Sequence, residues 1–139
     1  MVALGQKDAQ QVVVLKRMIR DLHFPIEVMV GPILRDADGL AMSSRNAYLE
    51  PKQREDALLV YQALQVARKL VEEKGSRNGD RVKAETANIL KGGRFLRVNY
   101  VEVVDRETMR PETEIVPGRS LLAVAVWVDQ VRLIDNLCF

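Results

Sequence analysis

Cysteine and histidine, two residue types that readily ligate transition metals, are nearly absent from this sequence. Cys138 is the single cysteine and His23 the single histidine among 139 residues. One cysteine excludes an intrachain disulfide and a cysteine framework for zinc, and it fits a reducing, cytoplasmic setting. One histidine excludes a site built from several histidines. Its place shortly before a proline is more typical of a helix end than of a catalytic base.

Long hydrophobic runs and concentrated charge are also absent. No apolar run approaches the roughly 18 residues that a membrane span needs. The short run Met1–Leu4 stops at Gly5, far short of the apolar core of a signal peptide. Charged residues make up 29% of the chain, the formal net charge is +2, and the two signs alternate along the sequence. Because nucleic-acid binders usually concentrate Lys and Arg on one face, we expect neither a membrane nor a nucleic acid as a partner.

The beginning of the chain has the pattern of a strand, a helix and a second strand. Met1–Leu4 is apolar, as is typical of a buried parallel strand. Apolar residues then recur at helical spacing over 8–22, with Asp8 as the expected cap, and Ile26–Val30 is the second strand. Such a succession forms a parallel crossover. Because a parallel sheet needs neighbouring strands and cover on both faces, we expect further sheet upstream.

The remainder of the chain changes from a loop to helices and then to strands. A loop over 31–46, rich in turn residues, precedes a helix over 51–73. A second helix is predicted over 81–91, with Asp80 as its cap. Three predicted strands follow: Leu96–Val104, Leu121–Val128 and Val131–Asp135. The sequence therefore predicts an α+β fold in which two helices cover one face of a three-stranded antiparallel sheet.

The first candidate functional cluster is the polar stretch Gly5–Gln11, between the first predicted strand and its helix. In open α/β sheets, ligands bind beyond the carboxyl ends of the strands, and helix N-termini favour anions. Lys7 is placed to reach a phosphate, Asp8 to accept from a ribose hydroxyl, and Gln11 to bond a polar substrate. On pattern alone, a plain strand-to-helix turn with solvated side chains is the favoured interpretation, and a binding site is the alternative.

The second candidate cluster is the stretch Arg35–Asn46, which contains two serines and two arginines. Ser44 is the expected cap of a short helical turn over 45–49. Hydroxyls and backbone N–H groups donate short hydrogen bonds to phosphate oxygens, and Arg45 adds positive charge where negative charge develops. Gly39 gives the segment a hinge. A polar linker between two structural units is an equally good interpretation of these residues alone.

Three further features receive structural interpretations. Asp36 and Asp38 are spaced to share a metal ion, but turn chemistry explains them better. Trp127 lies in an apolar strand, where it is most simply a core residue. Cys138 is next to last in the chain and is interpreted as a terminal strand residue rather than a reactive thiol.

At its two clusters the sequence resembles the pantothenate synthetases, also called pantoate–β-alanine ligases. The stretches Gly5–Gln11, Arg35–Leu49 and Arg132–Asn136 resemble that family in order and in spacing. The resemblance covers essentially the whole chain, and it is looser over 51–118. The stretch Met42–Arg45 resembles the family's version of the KMSKS loop of adenylate-forming synthetases.

The resemblance implies a two-step, ATP-dependent ligation. Such enzymes use ATP and Mg²⁺ to convert pantoate to a pantoyl adenylate, releasing pyrophosphate. The amine of β-alanine then attacks, which gives pantothenate and AMP. The resemblance also implies residue roles. ATP would be contacted by Gly5, Gln6, Lys7 and Asp8, and its adenine by the Leu34 backbone. The triphosphate would be covered by Met42, Ser43, Ser44 and Arg45, and pantoate would be bound by Gln11. Of these residues, Lys7, Ser43, Ser44 and Arg45 are expected to assist the chemistry, and no side chain is expected to ligate a metal.

The resemblance further implies a division of the chain. Residues 1–31 would be the last piece of a Rossmann-like nucleotide-binding domain, and residues 32–139 a small lid domain with the KMSKS-like loop over 42–46. Family members begin with a region bearing a His-x-Gly-His motif, which is not in this sequence. We therefore expect the chain to be the C-terminal half of such an enzyme, inactive alone.

Three expectations about assembly and class complete the sequence-based account. We expect a homodimer, because an apolar strand without a neighbour tends to associate and two-fold pairing is the common outcome. A non-catalytic, self-associating C-terminal domain is one alternative function. A related adenylate-forming ligase that uses a different acid is the other.

Overall fold

The chain begins with a parallel pair of strands. In the computed structural model, which describes residues 1–139, β1 (Val2–Gly5) pairs with β2 (Val28–Gly31). One 3-10 turn over Gln6–Asp8 leads into α1 (Ala9–Asp21), which returns the chain to the start of β2. The predicted strand, helix and parallel strand are therefore confirmed.

The expected cap of α1 is wrong. Asp8 occupies the N-cap position, but its side chain makes no capping hydrogen bond. Its backbone angles, φ −93° and ψ 57°, close the 3-10 turn. A capping residue normally has the extended conformation from which its side chain reaches the first N–H groups of the helix. The Asp8 side chain is instead exposed beside the start of α1, where a ligand can reach it.

The rest of the chain forms two helices and one sheet. Its elements are α2 (Pro51–Glu72), α3 (Gly79–Leu90), β3 (Leu96–Asp105), β4 (Ser120–Val128) and β5 (Val131–Cys138). The three strands are antiparallel in the order β3–β4–β5, so β5 is an edge strand. The predicted α+β architecture is confirmed, whereas the division of the chain at residue 31 stays a prediction. None of the three helices is long and apolar enough to cross a bilayer.

Helix α3 begins earlier than predicted and has a different cap. The side-chain oxygen of Asn78 accepts from the Arg81 N–H at 3.1 Å, while Asp80 lies inside the first turn. Gly79 explains the shift. Its N–H donates to the Thr113 carbonyl at 2.8 Å, and a Cβ at this position would collide with the same carbonyl. This tertiary contact fixes the backbone just before Asp80, so that the helix begins at Gly79 and Asn78 occupies the cap position.

The two faces of the antiparallel sheet have different surroundings. One face packs against α2 and α3 and contributes fully buried side chains such as Leu122 and Val126 to the main core. On the opposite face Ala9, at the start of α1, packs against a small buried cluster that includes Leu121. Further along this face, β4 presents the small side chains of Ala123 and Ala125, and then Trp127 near its end. The sheet and α1 therefore touch at one end and leave a cleft beyond it.

Asp105, the last residue of β3, organises the loop that leads to β4. One carboxylate oxygen accepts from Arg119 Nε at 2.6 Å, and the other accepts from the N–H groups of Glu107 and Thr108 at 2.8 and 3.1 Å. The hydrogen bond from Arg119 lowers the pKa of Asp105 most, and the Glu107 N–H adds to this. Together they outweigh partial burial and bring the pKa from 3.8 to about 2.

Protonation of Asp105 is expected to destabilise the fold in acid. Because its pKa is lower folded than unfolded, the stabilisation present above pH 3.8 is lost as the pH falls towards about 2. Asp105→Asn should lower the free energy of unfolding at pH 7 by roughly 1–2 kcal/mol and flatten its pH dependence over this interval. Urea unfolding at several pH values measures both effects, with the exposed Glu85→Gln as the control. An unchanged slope in Asp105→Asn would contradict the prediction.

Candidate functional site

The loop after β2 folds into a small hairpin, Leu34–Met42. Arg35 and Ala41 form a bridge, and the Met42 N–H donates to the Leu34 carbonyl at 2.8 Å. Gly39 forms the turn with a φ of 98°, a value that favours glycine, and a Cβ there would overlap the Tyr61 ring of α2. The tip of the hairpin is therefore packed directly onto α2.

The two aspartates of the hairpin turn are bound to Arg54 of α2. Arg54 donates to Asp38 at 3.0 Å and to Asp36 at 2.9 Å. Partial burial raises the pKa of Asp38, but the Leu40 N–H and the Arg54 guanidinium outweigh it, and the net pKa lies below its usual value. These carboxylates therefore fix the turn to α2, an attachment that the turn interpretation of their sequence did not include.

The segment Met42–Asn46, here called the Ser-Ser-Arg loop, follows the hairpin. The Ser43 hydroxyl accepts from the Arg45 N–H at 3.2 Å and caps a 3-10 helix over Ser44–Tyr48. The expected cap, Ser44, is wrong by one residue because Ser43 has the extended backbone, φ −155° and ψ 146°, that a cap requires. Asn46 Nδ2 donates to the Ala41 carbonyl at 3.0 Å and holds the loop to the hairpin.

The first candidate cluster is hydrogen-bonded to the end of β5. Asn136 Nδ2 donates to the backbone carbonyls of Gln6 and Lys7 at 2.9 and 3.1 Å. In return, Gln6 Nε2 donates to Asn136 Oδ1 at 3.3 Å and to Cys138 Sγ at 3.4 Å. Burial raises the pKa of the Cys138 thiol, so that the thiol stays protonated and serves as a neighbour of Gln6. The turn Gly5–Asp8 is thus fixed to the antiparallel sheet.

The hairpin is also held by β5. The Arg35 guanidinium makes two parallel hydrogen bonds to the Asp135 carboxylate, at 2.6 and 2.9 Å. The Asp135 side chain is 4% exposed and that of Arg35 23%, and the guanidinium also lies 4.8 Å from the centre of the Tyr61 ring. Asp135 Oδ1 further accepts from the Asn136 N–H at 2.8 Å. Two consecutive residues of one strand therefore hold both candidate clusters.

The structure brings part of the predicted site together. Lys7, Asp8 and Gln11 line the cleft of about 440 Å³ between α1 and the sheet, together with Arg132 and Asn136. Lys7 also lines a small cavity with Ser43, so the two clusters meet at this point. Six residues of the predicted site line neither this cleft nor the larger one described next: Gly5, Gln6, Leu34, Met42, Ser43 and Ser44.

Arg45 lies on a second, wide cleft of about 1090 Å³ at the β4–β5 hairpin. Its guanidinium donates to the backbone carbonyl of Arg132 at 3.4 Å, and Arg132 lines both clefts. Trp127 is partly buried in this cleft. The interpretation of Trp127 as a core residue is wrong because side chains alternate along β4: Val126 and Val128 point into the core, and Trp127 points away from it.

Sequence reasoning missed the residues that assemble the site. Asp135 and Asn136 carried no functional expectation of their own, although they belong to a stretch in which the family resemblance is clear. Arg35 was expected only as one of the two arginines of the second candidate cluster. The available signal was a charged and an amide side chain next to each other in the strand, and both are buried, at 5% and 4% exposure. Buried polar side chains need partners, so such a pair predicts contacts with another segment.

Fold and site together define a class of protein. An α+β unit carries a loop with serine and arginine donors, and this loop lies beside a lysine-bearing turn at the start of a helix. Donors arranged in this way at the carboxyl end of a parallel strand are typical of sites for anionic ligands. The class is therefore that of an α+β unit joined to a parallel strand pair, with hydroxyl, guanidinium and ammonium donors near the end of one of those strands.

Comparison with known proteins identifies the family. The family model described as pantoate-beta-alanine ligase matches residues 1–138. The pantothenate synthetases of Thermotoga petrophila and Moorella thermoacetica are both 47% identical, over 95% and 96% of this chain and 46% of each relative. The chain belongs to the pantoate–β-alanine ligase family, as the sequence predicted. It spans about half the length of the curated relatives it matches.

Solved structures agree with this assignment. The pantothenate synthetase from Thermus thermophilus superposes with a TM-score of 0.89 at 39% identity, over 97% of this chain and 48% of that one. The pantoate-beta-alanine ligase from Francisella tularensis, solved with beta-gamma ATP and beta-alanine, has a TM-score of 0.65 and 24% identity over 98% of this chain and 42% of that one. The second likeness shows the fold alone.

Proposed function

We propose that the protein containing this chain condenses pantoate with β-alanine in an ATP-dependent reaction that proceeds through a pantoyl adenylate. One observation carries the proposal. The family resemblance assigns ATP to Gly5–Asp8 and Met42–Asn46. Asn136 binds the first of these segments, and the adjacent Asp135 binds Arg35 of the hairpin that leads into the second. Family membership and the relatives' names support the same reaction.

The turn Gly5–Asp8 supplies one side of the proposed nucleotide site. The Lys7 ammonium group pairs with ATP phosphates, and the N–H groups at the start of α1 add a favourable dipole. The exposed Asp8 carboxylate accepts from the ribose hydroxyls. Gln11 lines the same cleft one turn further along α1 and bonds pantoate through its amide.

The Ser-Ser-Arg loop supplies the other side. The Ser43 and Ser44 hydroxyls and the Arg45 guanidinium donate to the triphosphate, while Met42 covers it and the Leu34 backbone contacts adenine. Ser44 and Arg45 are exposed, which leaves their donors accessible to a ligand. Attack of the pantoate carboxylate on the α-phosphorus expels pyrophosphate, and the β-alanine amine then displaces AMP. Both steps need alignment and charge stabilisation more than a protein nucleophile.

Magnesium enters this proposal with the nucleotide. The structure contains no group of three or more His, Cys, Asp or Glu side chains arranged to hold a metal ion. Mg²⁺ retains several of its waters and commonly binds through substrate phosphates. We therefore assign it to the ATP phosphates and assign no step of the reaction to a protein-bound metal.

A two-part assay tests the proposal. The complete protein encoded by the gene should release AMP only when ATP, pantoate and β-alanine are all present. The 139-residue chain alone should release none under the same conditions, because it spans about half of its relatives' length. Turnover by the short chain would refute the expectation that this chain is inactive alone. A complete protein that prefers another acid in pyrophosphate exchange would instead indicate a related adenylate-forming ligase.

A specific observation favours self-association as a second function. Apolar side chains on the outer surface of α1 and β2 are well exposed: Val14 at 60%, Met29 at 54% and Met18 at 43%. Exposed apolar surface can mark an interface. We propose a cytoplasmic homodimer for the complete protein. Light scattering of the complete protein and of the 139-residue chain tests this, and a strict monomer at high concentration in both would refute it.

A further inference from the structure

The edge strand β5 presents neighbouring side chains to opposite faces of the sheet. Asp135 shares the core-facing side with Leu133 and Leu137, and there it binds Arg35 of the hairpin. Asn136 lies on the other face, where it binds the turn that precedes α1. Successive side chains of a strand alternate between faces, so two adjacent residues can hold two segments that never meet along the chain.

Asn136 binds the two peptide groups on either side of one residue. The Gln6 carbonyl belongs to the peptide before the Lys7 Cα, and the Lys7 carbonyl to the peptide after it. A single amide nitrogen donates to both, at 2.9 and 3.1 Å. Because these two planes determine the backbone angles of Lys7, they also determine the direction in which its side chain leaves the turn.

We propose that Asn136 is a positioning residue that aims Lys7 at the ATP phosphates, an inference that rests on the proposed function. Asn136 lines the same cleft as Lys7, but the proposal gives it no direct contact with ATP, because its amide nitrogen and oxygen are already bonded to the turn. It is 4% exposed, so no bulk water replaces its hydrogen bonds when they are removed. Asp135, which is bound by Arg35, accepts a hydrogen bond from the Asn136 backbone N–H at 2.8 Å. This bond fixes the backbone from which the Asn136 side chain extends.

An amide is required at this position because it both donates and accepts. Asn136 Nδ2 donates to the turn carbonyls, and Oδ1 accepts from Gln6 Nε2 at 3.3 Å. A flipped amide would place oxygen against two carbonyl oxygens and nitrogen against a donor, so one orientation alone satisfies the site. The change Asn136→Asp would retain the acceptor and lose both donations, and the new charge would repel the two carbonyls.

The test compares Asn136→Asp and Asn136→Ala in the complete protein with the matched control Asn88→Asp, which changes an exposed residue of α3. We expect the KM for ATP to rise about tenfold or more in both Asn136 variants, as for the loss of one well-placed interaction. The KM for β-alanine should stay unchanged, and the control should behave as wild type. Thermal unfolding of each variant shows that the rates belong to folded protein.

Combination with Lys7→Ala separates positioning from a general effect on the fold. If Asn136 acts through Lys7, Asn136→Ala should change ATP binding by less than about twofold in the Lys7→Ala background, because residues that act as a unit are non-additive. Calorimetric ATP affinity provides the readout where turnover is too slow. A full tenfold loss in that background would overturn the positioning role.

The remaining outcomes also decide between the two proposals. An active wild type with an unchanged KM for ATP in folded Asn136 variants overturns the positioning role and leaves the proposed function standing. Unfolding of both variants, with a folded control, makes Asn136 a stability residue and overturns the positioning role as well. A complete wild-type protein that is folded but inactive with all three substrates overturns the proposed function, and this inference falls with it.

Discussion

Lys7→Ala in the complete protein is expected to lower kcat/KM for ATP by about 10²–10³-fold, the effect of removing one preorganised group from developing negative charge. Lys7 lines both the cleft beside α1 and the small cavity that Ser43 also lines, so it lies where the two segments proposed to contact the phosphates meet. Steady-state AMP release measures the effect. Lys7→Arg should recover only part of the activity, because a guanidinium differs from an ammonium in reach and in geometry.

The control for this prediction is Lys52→Ala, which removes the same charge from an exposed position in the first turn of α2. It should leave kcat/KM for ATP within about twofold of wild type, because an exposed charge near no substrate contributes little. A loss of similar size in both variants would mean that net charge, rather than the position of Lys7, governs ATP binding. Normal kinetics in the Lys7→Ala variant would show that Lys7 is not part of the ATP site.

Arg35→Ala is expected to cause the largest loss of stability. It would leave the Asp135 carboxylate, 4% exposed, without the guanidinium that binds it at 2.6 and 2.9 Å. Breaking a buried ion pair in this way typically costs roughly 3–5 kcal/mol. Because Arg35 also donates to the Gly39 carbonyl and lies over Tyr61, the hairpin loses its attachment to the sheet as well. Urea unfolding measures the free energy.

Two comparisons test the cause of that loss. Arg17→Ala removes an exposed partner of Asp21, with side chains 73% and 56% exposed, and should cost under about 1 kcal/mol. Arg35→Ala combined with Asp135→Asn should cost less than the sum of the single changes, because the second change removes the uncompensated charge. Additive losses in the double variant would show that the two side chains do not act as a pair.

Local patterns were sufficient to predict most of the secondary structure. Apolar spacing located α1 and α2, and an expected cap located α3. Apolar runs or alternation located the strands, with ends that differ by a few residues. The Asp36–Gly39 turn and the start of α2 at Pro51 follow from chemistry within a few residues of each position. Such features depend on residues that are close together in the chain, so a short stretch of sequence is sufficient to predict them.

The cap of α3 and the outward direction of Trp127 in β4 depend on contacts with distant segments, which no local sequence pattern contains. Asn78 rather than Asp80 caps α3, because Gly79 packs on the backbone of Thr113. Trp127 faces a cleft rather than the core, because the register of β4 points Val126 and Val128 inward. In each case a distant segment decided between two locally acceptable conformations.

What the sequence determined by itself was therefore the order and type of the elements, the α+β class, the two polar clusters and, through motif resemblance, the family. What only the tertiary structure decided was how the clusters are joined. Asp135 reaches back one hundred residues to Arg35, and Asn136 reaches back about 130 to Gln6 and Lys7. The physical reason is that hydrogen-bond partners so far apart in the chain leave no periodic trace in the sequence. They come together only when the alternation of β5 sends adjacent side chains to opposite faces of the sheet.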